Sequence, residues 1–200
     1  MSLREKKKIE TKNKIFEVSG RLFKEKGFEN TTIDEITKEA EIGKGTFFNY
    51  FPTKEALLLY FVEQKDELTY SLIEIETARS IPTKDKIKNL LVFLAESYET
   101  DKELTKLLIF EYIKYIRSTG LKSGEDQSRH HRLSKILHDF LEDGVKKGEV
   151  KGGIDVKIAA ETLTAVYFHS VMVWLWSEND YSISEDISGM IDLVFEGIGS

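Results

Sequence analysis

Apolar residues return every three or four positions along almost the whole chain, and the strict alternation of a half-buried strand is nearly absent. The pattern predicts an all-α fold of about nine helices. The first runs from Glu5 to Lys26, turning Ile15, Val18, Leu22 and Phe23 to one face, with Gly27 as its C-cap. Two short helices follow. A fourth starts at Thr53 and reaches about Thr77, with Leu57, Phe61, Leu68 and Leu72 as an apolar seam. Pro82-Thr83 opens a fifth, to Tyr98, carrying Ile87, Leu90, Leu91 and Leu94. Thr100 and Glu103 have capping-box spacing and begin a sixth that fades near Ser118. A seventh opens at Ser123-Gly124-Glu125-Asp126 and stops at Lys146-Lys147-Gly148, where lysines suit a helix C-terminus and glycine ends it. Asp155 caps the eighth, Val156 to Ser177, and Ser182 with Glu185 caps the ninth, which ends near Ile198. Loops are expected from Arg79 to Pro82 and from Ser118 to Gly124.

The two short helices, between Thr31 and Leu58, carry the most information. Thr32 and Glu35 form a capping box, and Ile33, Ile36 and Ala40 share one face of the helix they open. Glu41-Ile42-Gly43 is short enough to be only a turn, with Ile42 placed to plug the angle between helices. Lys44 to Phe51 then makes about two turns before Pro52, which drives the preceding residue out of helical geometry. This is a helix-turn-helix, an arrangement that lays its second helix in the major groove of DNA.

With these residues in view, the chain resembles the TetR family of transcriptional regulators. The resemblance rests on the helix-turn-helix, on Tyr50-Phe51-Pro52-Thr53-Lys54-Glu55-Ala56-Leu57-Leu58 after it, and on Arg21 to Thr32 before it. It covers roughly the first quarter of the chain; the rest matches in length and helicity. Glu41 stands where the family usually has Gly, and Gly43 where it often has Ser. The resemblance implies a helix-turn-helix domain over residues 1–52 and a larger helical ligand-binding and dimerisation domain over 53–200. It implies that Lys44, Gly45, Phe48 and Asn49 face the groove and that Thr46, Tyr50 and Lys54 hold phosphates. Thr32 adds a hydroxyl to a phosphate, while Phe47 and Phe51 pack inward on Phe23, Ile36 and Ile42. Each assignment has a plainer alternative: Lys44 solvated, Gly45 merely small, Tyr50 packed with its hydroxyl at the surface. Phe47 and Phe48 cannot both face inward on so short a helix, and a thymine methyl would give an outward ring a purpose.

Charge changes the picture once it is divided. The whole chain is net −6, which argues against a polyanionic partner. Residues 1–54, however, hold 12 Lys and Arg against 9 Asp and Glu, net +3, and the remainder is net −9. Arg4, Lys6, Lys7, Lys8, Lys12 and Lys14 form a basic N-terminal arm suited to phosphates, or else a solvated terminus. The absence of cysteine excludes a disulfide framework, a thiol sensor and a cysteine-based zinc site. No signal peptide and no run of about 18 apolar residues is evident, so a cytoplasmic protein is expected. With 40% apolar residues the chain can bury a proper core.

The eighth helix is apolar nearly all round and is expected to be buried on both sides. With the amphipathic ninth it suits a two-fold interface, and the resemblance implies a homodimer through these last two helices; the alternative is a monomer core. Leu163, Val166, Val171, Ile187, Ile191, Val194 and Phe195 are the candidate interface residues. An effector pocket among the fourth to eighth helices has Phe93, Phe110, Tyr112, Tyr115, Tyr167, His169 and Trp174 as candidates, suggesting a small hydrophobic or aromatic ligand. His169 also fits a satisfied buried imidazole. His130, His131 and His138 with Asp139 lack a second ligand turn, so a solvated polar face is expected and neither metal nor cofactor. No nucleophile triad, paired carboxylates or phosphate loop points to an enzyme. The expectation is a repressor that binds a palindromic DNA operator as a homodimer and is released by an effector. An activator, a co-repressed regulator and a helical interaction module without DNA binding stay open.

Overall fold

Residues 2–119, 124–179 and 181–197 are described by a computed structural model, with backbone alone at 62, 63, 65–70, 116, 119 and 124–131. They form nine helices: α1 (Leu3–Lys26), α2 (Ile33–Glu39), α3 (Lys44–Tyr50), α4 (Ala56–Ala78), α5 (Thr83–Glu99), α6 (Lys102–Thr119), α7 (Gly124–Lys147), α8 (Val156–Trp176) and α9 (Ile183–Glu196). The fold is all-α, with a helix-turn-helix near the N-terminus and a larger helical remainder.

Most ends follow local chemistry. Ser2 and Glu5 form a capping box that starts α1 two residues before the expected Glu5, so the basic arm is helical rather than loose. The Thr53 hydroxyl accepts from the Ala56 amide at 3.3 Å, the N-cap bond expected of Thr53, and α4 runs from Ala56. The expected caps at Thr32, Asp155 and Ser182 are all made. His130, His131 and Leu68 have side chains outside the described residues, as does the expected end of α9 at Ile198.

The chain divides into two packing units. The first joins Met1–Gln64 to Asp101–Gly120, so α6 packs on α1 although α2, α3 and α4 intervene in sequence. Ile15, Leu22, Phe23, Ile36, Phe47, Phe51, Leu57 and Leu58 form its core, completed by Leu108 and Tyr112 from α6. Burying each of these large side chains contributes roughly 1.5–3 kcal/mol. Gly20 lets α6 approach closely, since a Cβ there would stand 3.0 Å from Leu104. Lys24 holds Asp101 through both carboxylate oxygens at 3.0 Å.

The second unit joins Lys65–Thr100 to Leu121–Ser200. Here α5 packs on α9, and α7 on α8. Glu99 accepts from the Ser182 hydroxyl and from the amide and hydroxyl of Ser184, tying α5 to the first turn of α9. Lys84 and Lys88 both grip Asp192 at 2.8 Å. At Gly144 the backbone of α7 lies against side chains: an added Cβ would stand 2.6 Å from the Thr83 hydroxyl of α5 and 2.8 Å from the Val150 side chain.

The expectation for α8 needs correcting. By length and composition it could cross a membrane, unlike the sequence reading, but one half-buried helix of a packed unit passes the same test. It is also not buried on both sides within the chain. Ala160, Leu163, Tyr167, Val171 and Trp174 face inward, while Ile158, Met172, Val173 and Trp176 are exposed. Leu163 and Val171, with Ile187 and Ile191 of α9, are therefore committed to the subunit's own core and cannot supply an outer face.

Candidate nucleic-acid interface

The capping box at the head of α2 is closed on both sides: the Glu35 amide donates to the Thr32 hydroxyl at 3.2 Å, and the Thr32 amide donates to Glu35 at 3.0 Å. Lys26 donates to the same carboxylate at 2.6 Å. Foremost through Lys26, then through the Thr32 amide and hydroxyl, the Glu35 carboxyl is lowered to about 2. The turn that follows puts Glu41 at φ 54°, in the left-handed region where a glycine would be unstrained. Gly43, at φ −77°, begins α3 without a side-chain cap.

Seven residues of α3 split cleanly. Phe47 is 0% exposed and Phe51 is 2% exposed, both inside the first unit's core. Phe48 is 48% exposed and meets Phe47 edge to face at 5.6 Å. Lys44, Gly45 and Asn49 are exposed beside it, with Thr46 and Tyr50 half-buried at the flanks. Spacing of i, i+1, i+4 and i+5 aligns Lys44, Gly45, Phe48 and Asn49 along one strip of helix surface. A Cβ on Gly45 would touch nothing within 4 Å, so the protein itself has no need of a glycine there. Such a strip offers an ammonium, a bare stretch of backbone, an apolar ring and an amide, the groups that meet phosphates, base edges and thymine methyls.

Four carboxylates on α2 and the turn would repel a polyanion, and each is paired. Asp34 meets Lys44 at 2.5 Å, Glu35 meets Lys26, Glu39 meets Arg21, and Glu41 meets Lys14 at 3.1 Å. Exposed pairs of this kind add little stability. Their effect is on the local field, which they bring close to neutral beside α3.

Lys54 is engaged within the protein. Its Nζ donates to the carbonyls of Phe28 at 2.6 Å, Thr31 at 3.0 Å and Glu29 at 3.4 Å, and stands 4.3 Å from the Phe28 ring centre. An ammonium has three hydrogens, and all three are used within the protein. Nothing in the local spacing signals this, because the partners lie 23 to 26 residues away in sequence.

The seven effector candidates are not gathered in one packing unit. Phe110, Tyr112 and Tyr115 belong to the first, and Phe93, Tyr167, His169 and Trp174 to the second. Phe110 and His169 are exposed, so His169 is neither a buried imidazole nor a wall of an internal cavity. Tyr115 borders an open groove of about 530 Å³ with Phe28, Leu58, Glu55 and Lys114. Tyr112 is buried in the first core. In the second unit, Tyr167 is buried and its phenol is pushed well up by that burial. Trp174 is also buried there, its indole donating to the Tyr181 carbonyl at 3.0 Å, and Phe93 is half-buried. Among the described residues no cluster of three or more potential ligands could hold a metal ion.

Residues 15–61 match the family described as bacterial regulatory proteins, tetR family. The probable HTH-type transcriptional regulator YttP of Bacillus subtilis (strain 168) is 34% identical over 146 residues, covering 71% of this chain and 68% of that protein. The fatty acid metabolism regulator protein of the same organism is 22% identical over 188 residues, covering 92% and 93%. Among solved structures, Thermus thermophilus FadR, a TetR family transcriptional repressor in complex with lauroyl-CoA, superposes with a TM-score of 0.62 at 26% identity, covering 94% and 95%. A putative TetR-family regulator from Syntrophomonas wolfei gives a TM-score of 0.70, also at 26% identity, over 94% and 96%. With its outward strip on α3 and its all-helical remainder, the chain belongs to the TetR family: it is a ligand-responsive, DNA-binding transcriptional regulator and not an enzyme.

Proposed function

We propose that this regulator is a repressor that binds an imperfect palindrome as a homodimer and leaves it on binding a long-chain acyl thioester of coenzyme A. The observation that carries the DNA half is the division of α3, with Phe47 sealed in the core and Phe48 beside Lys44, Gly45 and Asn49 outside. In this reading Phe48 and Asn49 meet base edges, Gly45 admits the backbone to the groove, and Lys44, Thr46 and Tyr50 meet phosphates, as does Thr32 once its hydroxyl turns from Glu35. One such helix reads few base pairs, so a second copy supplies the other half-site, roughly 34–36 Å along the duplex or somewhat more.

The exposed stripe of α8 and α9 supports the pairing. Ile158, Met172, Val173 and Trp176 of α8 are exposed, as are Leu193 and Val194 of α9, apolar side chains of the sort that a second copy covers. Of the interface candidates Val194 is exposed, and Val166 and Phe195 are half-buried. The effector half rests on the lauroyl-CoA complex of the Thermus protein and on the fatty acid regulator of Bacillus, together with the apolar aromatics Phe93, Tyr167 and Trp174. The protein acts in the cytoplasm, where DNA and acyl thioesters meet.

The test uses a duplex recovered by the full-length protein from a random library. Lauroyl-CoA should release it, whereas coenzyme A alone should not, and Trp174 and Trp176 fluorescence should report the binding. Complete release requires about 10⁴-fold preference for the DNA-free state. Unchanged DNA affinity at saturating lauroyl-CoA would remove the acyl effector and leave DNA binding intact; tighter binding would make the protein co-repressed. Asn49→Ala should alter the recovered sequence, and a loss equal on every sequence would take Asn49 out of base reading.

A further inference from the structure

We infer that Lys54 is a positioning residue of the DNA-reading head, a staple that holds the segment leading into α2, and not a phosphate ligand. The inference rests on the DNA-binding role of α3. Lys54 lies in the short link between α3 and α4, half-buried, two residues after Pro52. Its ammonium is enclosed by three carbonyls, those of Phe28, Glu29 and Thr31, with the face of the Phe28 ring alongside.

The chemistry of that nest is specific. After Gly27 ends α1, residues 28–31 lack helical partners for most of their carbonyls. One ammonium satisfies three of them, and charge-assisted bonds of this kind are roughly twice as strong as neutral ones. Thr31 reinforces the segment from inside, its hydroxyl donating to the carbonyls of Gly27 at 2.8 Å and Leu22 at 3.2 Å. On its outer side Lys114 of α6 meets Glu29 at 3.1 Å.

The staple bears on function because the segment ends at Thr32, the cap of α2, and α3 packs on α2 through Ile36 and Phe47. Lys54 thus closes a loop in which the residues just after α3 fix the residues just before α2. To reach a phosphate, the ammonium would have to leave three carbonyls, of which that of Phe28 keeps a backbone donor in the Thr31 amide at 3.3 Å.

The experiment measures melting temperature and duplex affinity across salt concentrations for full-length wild type, Lys54→Gln and Lys54→Arg, with Lys44→Gln as reference. The duplex is the one recovered by the wild-type protein. A phosphate contact releases counterions, so losing one per subunit flattens the slope of log K against log salt by about two per dimer. The expected result is that Lys54→Gln melts several degrees lower and, while still folded, binds more weakly at every salt concentration with an unchanged slope. Lys54→Arg keeps the charge but not the compact ammonium, so it should also melt lower. Should Lys54→Gln fail to fold, Lys54→Arg carries the test: lowered melting and affinity support the staple, wild-type values overturn it. A flattened slope for Lys54→Gln overturns the assignment whatever happens to melting. Lower melting with unaltered affinity of the folded protein would reduce Lys54 to a structural part and overturn it too.

Discussion

Helices α3 and α8 are both rich in apolar side chains, yet only one of them announces which way it faces. In α3, Lys44 and Asn49 mark an outside on which Phe48 lies, and Phe47 is inward, as the family resemblance implies. In α8 the polar residues Lys157, Glu161, Thr162 and His169 are exposed but leave the last two turns unmarked, and Leu163 and Val173 look equivalent in sequence although one is buried and the other 49% exposed. A helical face is legible where polar residues bound it, and an unbounded one is assigned by what packs against it.

The largest effect should come from breaking that sorting on α3. Phe47→Ala should cost about 3–5 kcal/mol, a large part of the stability of a domain, whereas Phe48→Ala should stay within about 0.5 kcal/mol while weakening DNA binding. Urea unfolding and duplex titration of the two variants, one residue apart, measure this directly. Equal stability losses would mean that the division of α3 is wrong.

The matching contrast on α8 is between core and stripe. Leu163→Ala should lower stability by about 2–5 kcal/mol through a cavity inside the subunit. Val173→Glu should leave the subunit folded and weaken its self-association by roughly 30-fold or more, the scale of an interface anchor. Sedimentation across protein concentrations distinguishes them, and a Val173→Glu protein still fully dimeric would place the interface elsewhere.

Two glycines sharpen the comparison at smaller cost. Gly144→Ala drives a Cβ into Thr83 and Val150 and should destabilise by about 1–3 kcal/mol. Gly45→Ala, with open space around it, should stabilise α3 by up to about 1 kcal/mol and yet reduce duplex affinity. Opposite signs for folding and binding at Gly45 would identify a position kept bare for the groove.

The smallest effect concerns acid. Because the folded Glu35 carboxyl sits near 2 and its ordinary value is 4.5, its contribution is complete above 4.5 and lost as pH falls toward 2. Wild type should therefore lose more stability over that interval than Glu35→Gln, which is read by urea midpoints at several pH values. Its exposure keeps the difference modest.

Much of the helix-turn-helix was legible because its signals are local. The Thr32–Glu35 box spans three residues, Glu41 must carry the turn, and Pro52 must end α3, all within reach of a single helical turn. The membership of α6 in the first unit was not legible. Its apolar residues announce a helix with a buried face but name no partner, and Leu108 and Tyr112 join a core built from the first 61 residues. The same limit applies to the aromatics: their spacing assigns Phe110 and Tyr112 to α6 but leaves open that one is exposed and the other buried.

By itself the sequence determined the helices, the turn and the caps at Thr32, Asp155 and Ser182, since each depends on residues within four positions of one another, whereas at α6 Asp101 caps in place of the expected Thr100. Tertiary structure alone decided that Lys54 spends its hydrogens on Phe28, Glu29 and Thr31, that Gly144 lies against Thr83, and which side of α8 is left uncovered. Those outcomes depend on where the chain returns in space, and no period of 3.6 residues encodes the distance between an ammonium and a carbonyl 26 residues away.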